Sequence, residues 1–144
     1  MFKMLLIGDK PTYSSEISSV MKGFCQLHTT SSATIGFNLA AANKYDLIMI
    51  DIDMHSGNSG VEAAHSITKT ETYASVPIVA FSVGKIMADK DLLFSYGFTH
   101  IISEPYNMRN FAQQIKFIIS SQLNSNHFSP FLSSNKPLAP KLVY

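Results

Sequence analysis

The sequence predicts a single α/β domain with a five-stranded parallel sheet and helices on both of its faces. The length of 144 residues and the apolar content of 46% suit one domain with one core. Short, continuous apolar runs alternate five times with segments of helical periodicity, which is the β-α pattern of a doubly wound sheet. Right-handed crossovers then bring the polar residues that end the strands to one edge of the sheet.

The first half of the chain supplies three strands. Residues 4–7 are apolar throughout and lead into Gly8, which predicts a central strand buried on both faces. Residues 25–29 alternate between apolar and polar side chains, as a strand near an edge does. Residues 47–50 are again apolar and end at Asp51. The predicted helices between these strands cover residues 17–24 and 33–42, the second after the N-capping candidates Ser31 and Ser32.

The second half continues the same alternation. Residues 78–81 form the fourth predicted strand, which ends at Ser82, and the fifth is the short run at residues 101–102, before Glu104. Gly97 is well placed to end the helix between them. The predicted helices cover residues 61–67, 87–96 and 108–119, and the last has the clearest amphipathic pattern.

A change of composition predicts a domain boundary near residue 123. Residues 1–123 form the predicted domain, and residues 124–144 form a Ser-, Asn- and Pro-rich tail or linker stub. Its prolines argue against a long helix, because proline removes a backbone donor and clashes with the preceding turn. The tail also carries apolar residues that can dock on a surface, among them Phe128 and Phe131.

Composition excludes several classes of function. The net charge is +1 and the eleven basic residues are scattered, so no nucleic-acid-binding face is predicted. The apolar runs fall short of the roughly 18 residues of a membrane-spanning helix. The single Cys25 excludes an intrachain disulfide and favours a cytoplasmic location. The five histidines lack the spacing of metal ligands.

Four segments, in order, resemble the strands of response-regulator receiver domains. They are LLIGD, YDLIMIDIDM, VPIVAFS and YGFTHIISEP, and the similarity covers about residues 3–121. The resemblance implies a CheY-like, flavodoxin-like (βα)5 fold and a role in two-component or phosphorelay signal transduction. The activity it implies is transfer of a phosphoryl group to an aspartate, which depends on positioning and charge neutralisation.

The resemblance also implies roles for individual residues. Asp51 matches the phosphoacceptor. Asp9, Asp51 and the backbone carbonyl of Asp53 match the ligands of a divalent cation, usually Mg2+, which prefers oxygen ligands. Ser82 matches the hydroxyl residue that binds the phosphoryl oxygens.

Several positions depart from the family pattern and predict a weakened Mg2+ site. Gly8 replaces the first acid of the usual pair, and Glu104 replaces the lysine that binds the phosphoryl group. Ile101 stands at the position of the switch aromatic, and His55 at that of a loop proline. A carboxylate in place of the lysine repels the phosphoryl anion by roughly 3 kcal/mol at about 5 Å and an effective dielectric near 20.

Two compensations are open. Glu104 can turn to the metal ion and replace the carboxylate missing at Gly8. Lys10, where the family often has an acid, can pair with Glu104 or reach the phosphoryl group. The favoured interpretation of Lys10 is that its side chain points to solvent.

Two functions therefore compete. The first is an atypical receiver with an impaired site, which accepts a phosphoryl group from a histidine kinase or phosphotransfer protein and signals to a downstream protein. The second is a pseudo-receiver that acts as a protein-interaction module without phosphorylation. A homodimer through the face of helix 4, strand 5 and helix 5 is a further candidate. An independent enzyme is the least favoured interpretation, because no second catalytic set can be recognised in the sequence.

Overall fold

The structure is a computed structural model, and it describes residues 1–54, 60–82, 90–103, 108–128 and 141–143. The strands are β1 (Phe2–Ile7), β2 (Cys25–Thr30), β3 (Leu47–Asp51), β4 (Ile78–Ser82), β5 (His100–Ser103) and β6 (Lys141–Val143). The helices are α1 (Pro11–Met21), α2 (Ala33–Ala42), α3 (Gly60–Thr68), α4 (Lys90–Ser95) and α5 (Met108–Phe128), with a 3-10 helix at Glu71–Tyr73.

All the strands are parallel and lie in one sheet, in the order β2-β1-β3-β4-β5-β6. The five predicted strands and the doubly wound fold are confirmed. The sixth strand was not predicted. The order reverses between β1 and β3, and a doubly wound sheet opens its functional crevice at such a switch point.

Strand residues alternate between two cores, one on each face of the sheet. In β1, Leu5 and Ile7 join the core that α2, α3 and α4 cover, whereas Met4 and Leu6 join the core that α1 and α5 cover. These four side chains are buried, which explains why β1 reads as a continuous apolar run. The central strands are therefore held from both faces, and the loops at their carboxyl ends start from fixed positions.

The end of α4 shows how a turn residue sets a helix boundary. Gly97 follows α4 with φ +106°, and its N–H donates to the carbonyl of Phe94 at 3.0 Å. The N–H of Phe98 donates to the carbonyl of Leu93 at 3.4 Å. The predicted role of Gly97 at the end of this helix is confirmed, because a left-handed residue there favours glycine.

Helix α5 and strand β6 extend the described structure into the predicted tail. Helix α5 runs to Phe128, which lies beyond the predicted boundary at residue 123. Strand β6 pairs with β5 from His100↔Lys141 to Ile102↔Val143. The division at residues 123 and 124 stays a prediction, and part of the tail belongs to the sheet.

None of the helices, searched over the described residues, is long and apolar enough to cross a membrane.

Candidate functional site

Asp51 ends β3 at the switch point of the sheet. Its side chain is 0% exposed, and among the described residues it is the one charged side chain that is buried. Its Oδ1 atom accepts a hydrogen bond of 2.7 Å from the backbone N–H of Asp53. A buried carboxylate must be paired or hydrogen-bonded, because an isolated one costs several kcal/mol.

Lys10 supplies the partner of Asp51. Its Nζ atom lies 2.8 Å from Asp51 Oδ2, 3.2 Å from Asp9 Oδ1 and 3.1 Å from the backbone carbonyl oxygen of Asp53. The prediction that this side chain points to solvent is wrong: it is 25% exposed and donates to all three groups. The physical reason is that two carboxylates at the ends of β1 and β3 attract the nearest flexible cation.

The surroundings of Lys10 keep it charged. Burial alone would lower the pKa of its ammonium, but the hydrogen bond and charge of Asp51, and then those of Asp9, outweigh burial and raise that pKa above 10.5. Lys10 is therefore an ammonium at neutral pH. With Asp9 and Asp51 ionised, two carboxylates and one ammonium leave one net negative charge in this cluster.

The local sequence explains how Lys10 reaches the cluster. Lys10 is the N-cap residue of α1, and Pro11 follows in the first turn, where its fixed φ suits a helix start. A lysine side chain has donors only, so it cannot accept from the backbone N–H groups of the first turn as Ser32 does in α2. A lysine at an N-cap was a signal in the sequence that its side chain serves another purpose.

Two glycines shape the floor of the site. A Cβ atom on Gly8 would lie 3.3 Å from Asp51 Cβ and 3.5 Å from Phe81 Cζ, so an acid at this position would be tightly packed. A Cβ atom on Gly60 would lie 2.3 Å from the carbonyl oxygen of Asp51. Glycine at position 60 therefore lets the start of α3 approach the end of β3 closely.

The remaining predicted residues are placed only in part. Ser82 ends β4 and pairs with Ser103 of β5. Ile101, at the position of the switch aromatic, is buried in the core beneath α4. Glu104 and His55 lie outside the described residues, so their predicted roles stay predictions.

The site does not fit a divalent cation while Lys10 holds this position. Its ammonium already contacts the three oxygen atoms that the resemblance assigns to Mg2+. Two positive groups of charge two and one, about 4 Å apart, repel by about 8 kcal/mol at an effective dielectric near 20. Over the described part of the chain, no group of three His, Cys, Asp or Glu side chains is placed to hold a metal ion.

Comparison with known families agrees with the observed fold. The sequence model of the response regulator receiver domain matches residues 4–116. The chain belongs to the response regulator receiver domain family. The receiver domain family thus accounts for the five β-α units of the fold.

Individual relatives are distant in sequence and similar in fold. The transcriptional regulatory protein YvrH of Bacillus subtilis is 29% identical over 135 residues, which cover 92% of this chain and 54% of YvrH. The receiver domain described here therefore spans about half the length of that relative.

Two solved structures share the fold of this receiver domain. The chemotaxis response regulator CheY4 of Vibrio cholerae has a TM-score of 0.75 at 18% identity, with 82% of this chain and 98% of CheY4 covered. The receiver domain of the sensor histidine kinase PA1611 of Pseudomonas aeruginosa has a TM-score of 0.73 at 18% identity, with coverage of 83% and 98%. The PA1611 structure has a magnesium ion coordinated in its active-site cleft.

Proposed function

We propose that this receiver domain is an atypical member that acts in two-component signalling, with Asp51 as the candidate phosphoacceptor of an impaired site. The observation that carries the proposal is the engagement of both carboxylate oxygens of Asp51. Oδ1 accepts from the N–H of Asp53 at 2.7 Å, and Oδ2 accepts from Lys10 at 2.8 Å. A nucleophile held in this way must lose a charge-assisted hydrogen bond before Oδ2 can attack phosphorus.

The proposed pocket combines residues at the ends of neighbouring strands. Asp9, Asp51 and the carbonyl of Asp53 converge on one point, and Ser82 lies at the end of the neighbouring strand as the proposed phosphoryl-binding hydroxyl. Glu104 replaces the expected lysine and is a further candidate ligand for a cation. Any Mg2+ bound here would be held weakly, because it would have to displace Lys10.

The proposed partners follow from this role. A histidine kinase or a phosphotransfer protein would supply the phosphoryl group, and a downstream signalling protein would receive the output. A receiver of this kind signals by shifting the population of two surface states. We place the domain in the cytoplasm on the same reasoning.

A second candidate function is a pseudo-receiver that binds a protein partner without phosphorylation. The contact of Lys10 with Asp51 favours it, because the pocket is already neutralised in part. Exposed apolar side chains are available to such a partner, Leu92 on α4 and Phe117 on α5. The face of α4, β5 and α5, whose strand β5 pairs with β6, remains the candidate surface for a homodimer.

Phosphorylation with a small donor separates the two functions. The protein would be incubated with Mg2+ and acetyl phosphate or phosphoramidate and then analysed by intact mass spectrometry. Under the first function a phosphoryl adduct forms slowly and is abolished in Asp51→Asn. The Glu104→Lys variant should form more adduct, because lysine reverses the charge at that position.

The same experiment can reject the proposal. An adduct that persists in Asp51→Asn would show that another residue is modified. The absence of any adduct in the wild type and in Glu104→Lys, with both proteins folded by circular dichroism, would favour the pseudo-receiver.

A further inference from the structure

We propose that the Lys10 ammonium is the resident cation of this pocket and stands in the position of the divalent metal ion. This inference deepens the proposed function and rests on its choice of Asp9, Asp51 and the Asp53 carbonyl as the cation-facing groups. The resting domain then has its acidic cluster neutralised in part by its own side chain, independently of Mg2+.

The donors of Lys10 and the acceptors around it match in number. An ammonium carries three N–H donors, and three acceptor oxygens from three segments of the chain surround Lys10 Nζ. The acceptors come from the loop after β1, the end of β3 and the turn that follows β3. Three directed bonds on one atom differ from a surface ion pair, in which a long side chain holds a single contact.

The distances within the site are those of hydrogen bonds to an ammonium. The three oxygens lie 2.8 Å, 3.2 Å and 3.1 Å from the central nitrogen. Mg2+ requires oxygens at about 2.1 Å in near-octahedral geometry. The cluster is thus spaced for an ammonium, and binding of Mg2+ at this centre would need both the departure of Lys10 and an inward movement of the oxygens.

The burial of Asp51 also favours a cation supplied by the protein itself. Asp51 is fully buried, so its negative charge requires a partner within the protein. The side chain of Asp9 is 17% exposed and also faces Lys10. Gly8 contributes no third carboxylate, so one ammonium meets two carboxylates. A chain with fewer acids at this edge has less need for a doubly charged ion.

The test compares the response to Mg2+ of the wild type, Lys10→Met and Lys22→Met. Lys22 is an exposed lysine beyond the end of α1, so its replacement is a matched loss of one positive charge outside the pocket. Amide NMR spectra would be recorded during a MgCl2 titration into the millimolar range. We expect saturable shifts at Asp9, Asp51 and Asp53 in Lys10→Met, and an affinity at least about tenfold weaker in the wild type and in Lys22→Met.

Equal responses overturn the inference. If wild type and Lys10→Met shift alike at these three amides, or if neither shifts, Lys10 does not hold the place of the ion. If Lys22→Met gains the same affinity as Lys10→Met, the effect belongs to net charge, and the inference fails as well.

A second measurement needs no variant of Lys10, in case Lys10→Met does not fold. The three hydrogen bonds should slow proton exchange of the Lys10 ammonium, so that its Nζ–H signal is visible in nitrogen-15 lysine spectra and shifts in Asp51→Asn. The absence of a protected lysine signal would overturn the inference.

These readouts contain no phosphodonor. A chain in which Lys10 excludes Mg2+ but Asp51 never forms an adduct would retain this inference and lose the phosphoacceptor proposal. A chain that forms the adduct and binds Mg2+ equally well with and without Lys10 would do the reverse.

Discussion

The pair formed by Lys10 and Asp51 permits a quantitative prediction through a double-mutant cycle. The cycle consists of the wild type, Lys10→Met, Asp51→Asn and the double variant. Methionine keeps an unbranched apolar stem and removes the ammonium. Asparagine keeps an Oδ1 acceptor for the N–H of Asp53, a bond of 2.7 Å in the wild type, and removes the charge that faces Lys10. The cycle therefore isolates the charged contact of 2.8 Å.

The magnitude follows from charge and burial. Two unit charges about 4 Å apart attract by about 4 kcal/mol at an effective dielectric near 20. Desolvation of the fully buried Asp51 offsets part of this, which leaves a net coupling of about 2 kcal/mol. We expect Lys10→Met to lower the free energy of unfolding by about 3 kcal/mol, because it strands a buried carboxylate. Asp51→Asn should cost about 1 kcal/mol and the double variant about 2 kcal/mol.

Urea unfolding at neutral pH and low salt is the assay, because urea adds no ionic screening. Lys22→Met is the control and should change the free energy of unfolding by less than about 0.5 kcal/mol. Additivity of the two single variants to within about 0.5 kcal/mol would refute the reasoning. A more stable Asp51→Asn would refute it too, since that is the response of a cluster of carboxylates without a resident cation.

Three further predictions concern the frame of the site. Burial raises the pKa of Cys25 from 9.0 to about 11, so the thiol keeps its proton to a higher pH in the folded state than in the unfolded state. The free energy of unfolding, measured in urea, should therefore be unaffected by this thiol below pH 9 and should fall by about 2–3 kcal/mol as the pH rises to 11. In Cys25→Ala the fall over the same pH range should be smaller. Gly60→Ala should lower the free energy of unfolding by about 2–3 kcal/mol in urea, because its Cβ would lie 2.3 Å from the Asp51 carbonyl oxygen; a neutral effect would contradict that packing. Deletion of residues 129–144 removes β6 from the edge of the sheet and leaves the backbone of β5 without that neighbour. Amide hydrogen exchange in β5 should become faster, and sedimentation should show self-association. Unchanged exchange would show that β6 does not protect the amides of β5.

The order of strands and helices could be predicted because strands that are buried on both faces consist of apolar residues throughout. Apolar runs such as residues 47–50 reflect strands covered on both faces, and their order fixes which strand ends meet. Asp9 and Asp51 could therefore be placed at one edge of the sheet without knowledge of any side-chain contact. Strand β6 could not be predicted, because three residues carry little pattern and their pairing depends on the backbone of β5.

The position of the Lys10 side chain could not be predicted for a different reason. Lys10 and Asp51 are 41 residues apart, and a lysine has four rotatable bonds, so its neighbours in sequence favour solvent as well as any pocket. The decisive factor is the field of two carboxylates that only the folded sheet brings together. The departures from the family pattern at Gly8 and Lys10 were visible in the sequence, but the direction of the Lys10 side chain toward Asp51 was not.

Lysine at position 10 is unfavourable for helix α1 and favourable for the pocket around Asp51. A lysine at the N-cap forgoes the side-chain acceptor that a serine or an aspartate offers, which costs about 1 kcal/mol. The contact with Asp51 stabilises the folded state by about 2 kcal/mol, and without it Asp51 would be a buried carboxylate that lacks a cationic partner. Residues that break a local rule are expected where another part of the structure compensates. By this reasoning, replacing Lys10 with serine would improve the cap of α1 and still destabilise the domain, because the gain at the helix is smaller than the loss at Asp51.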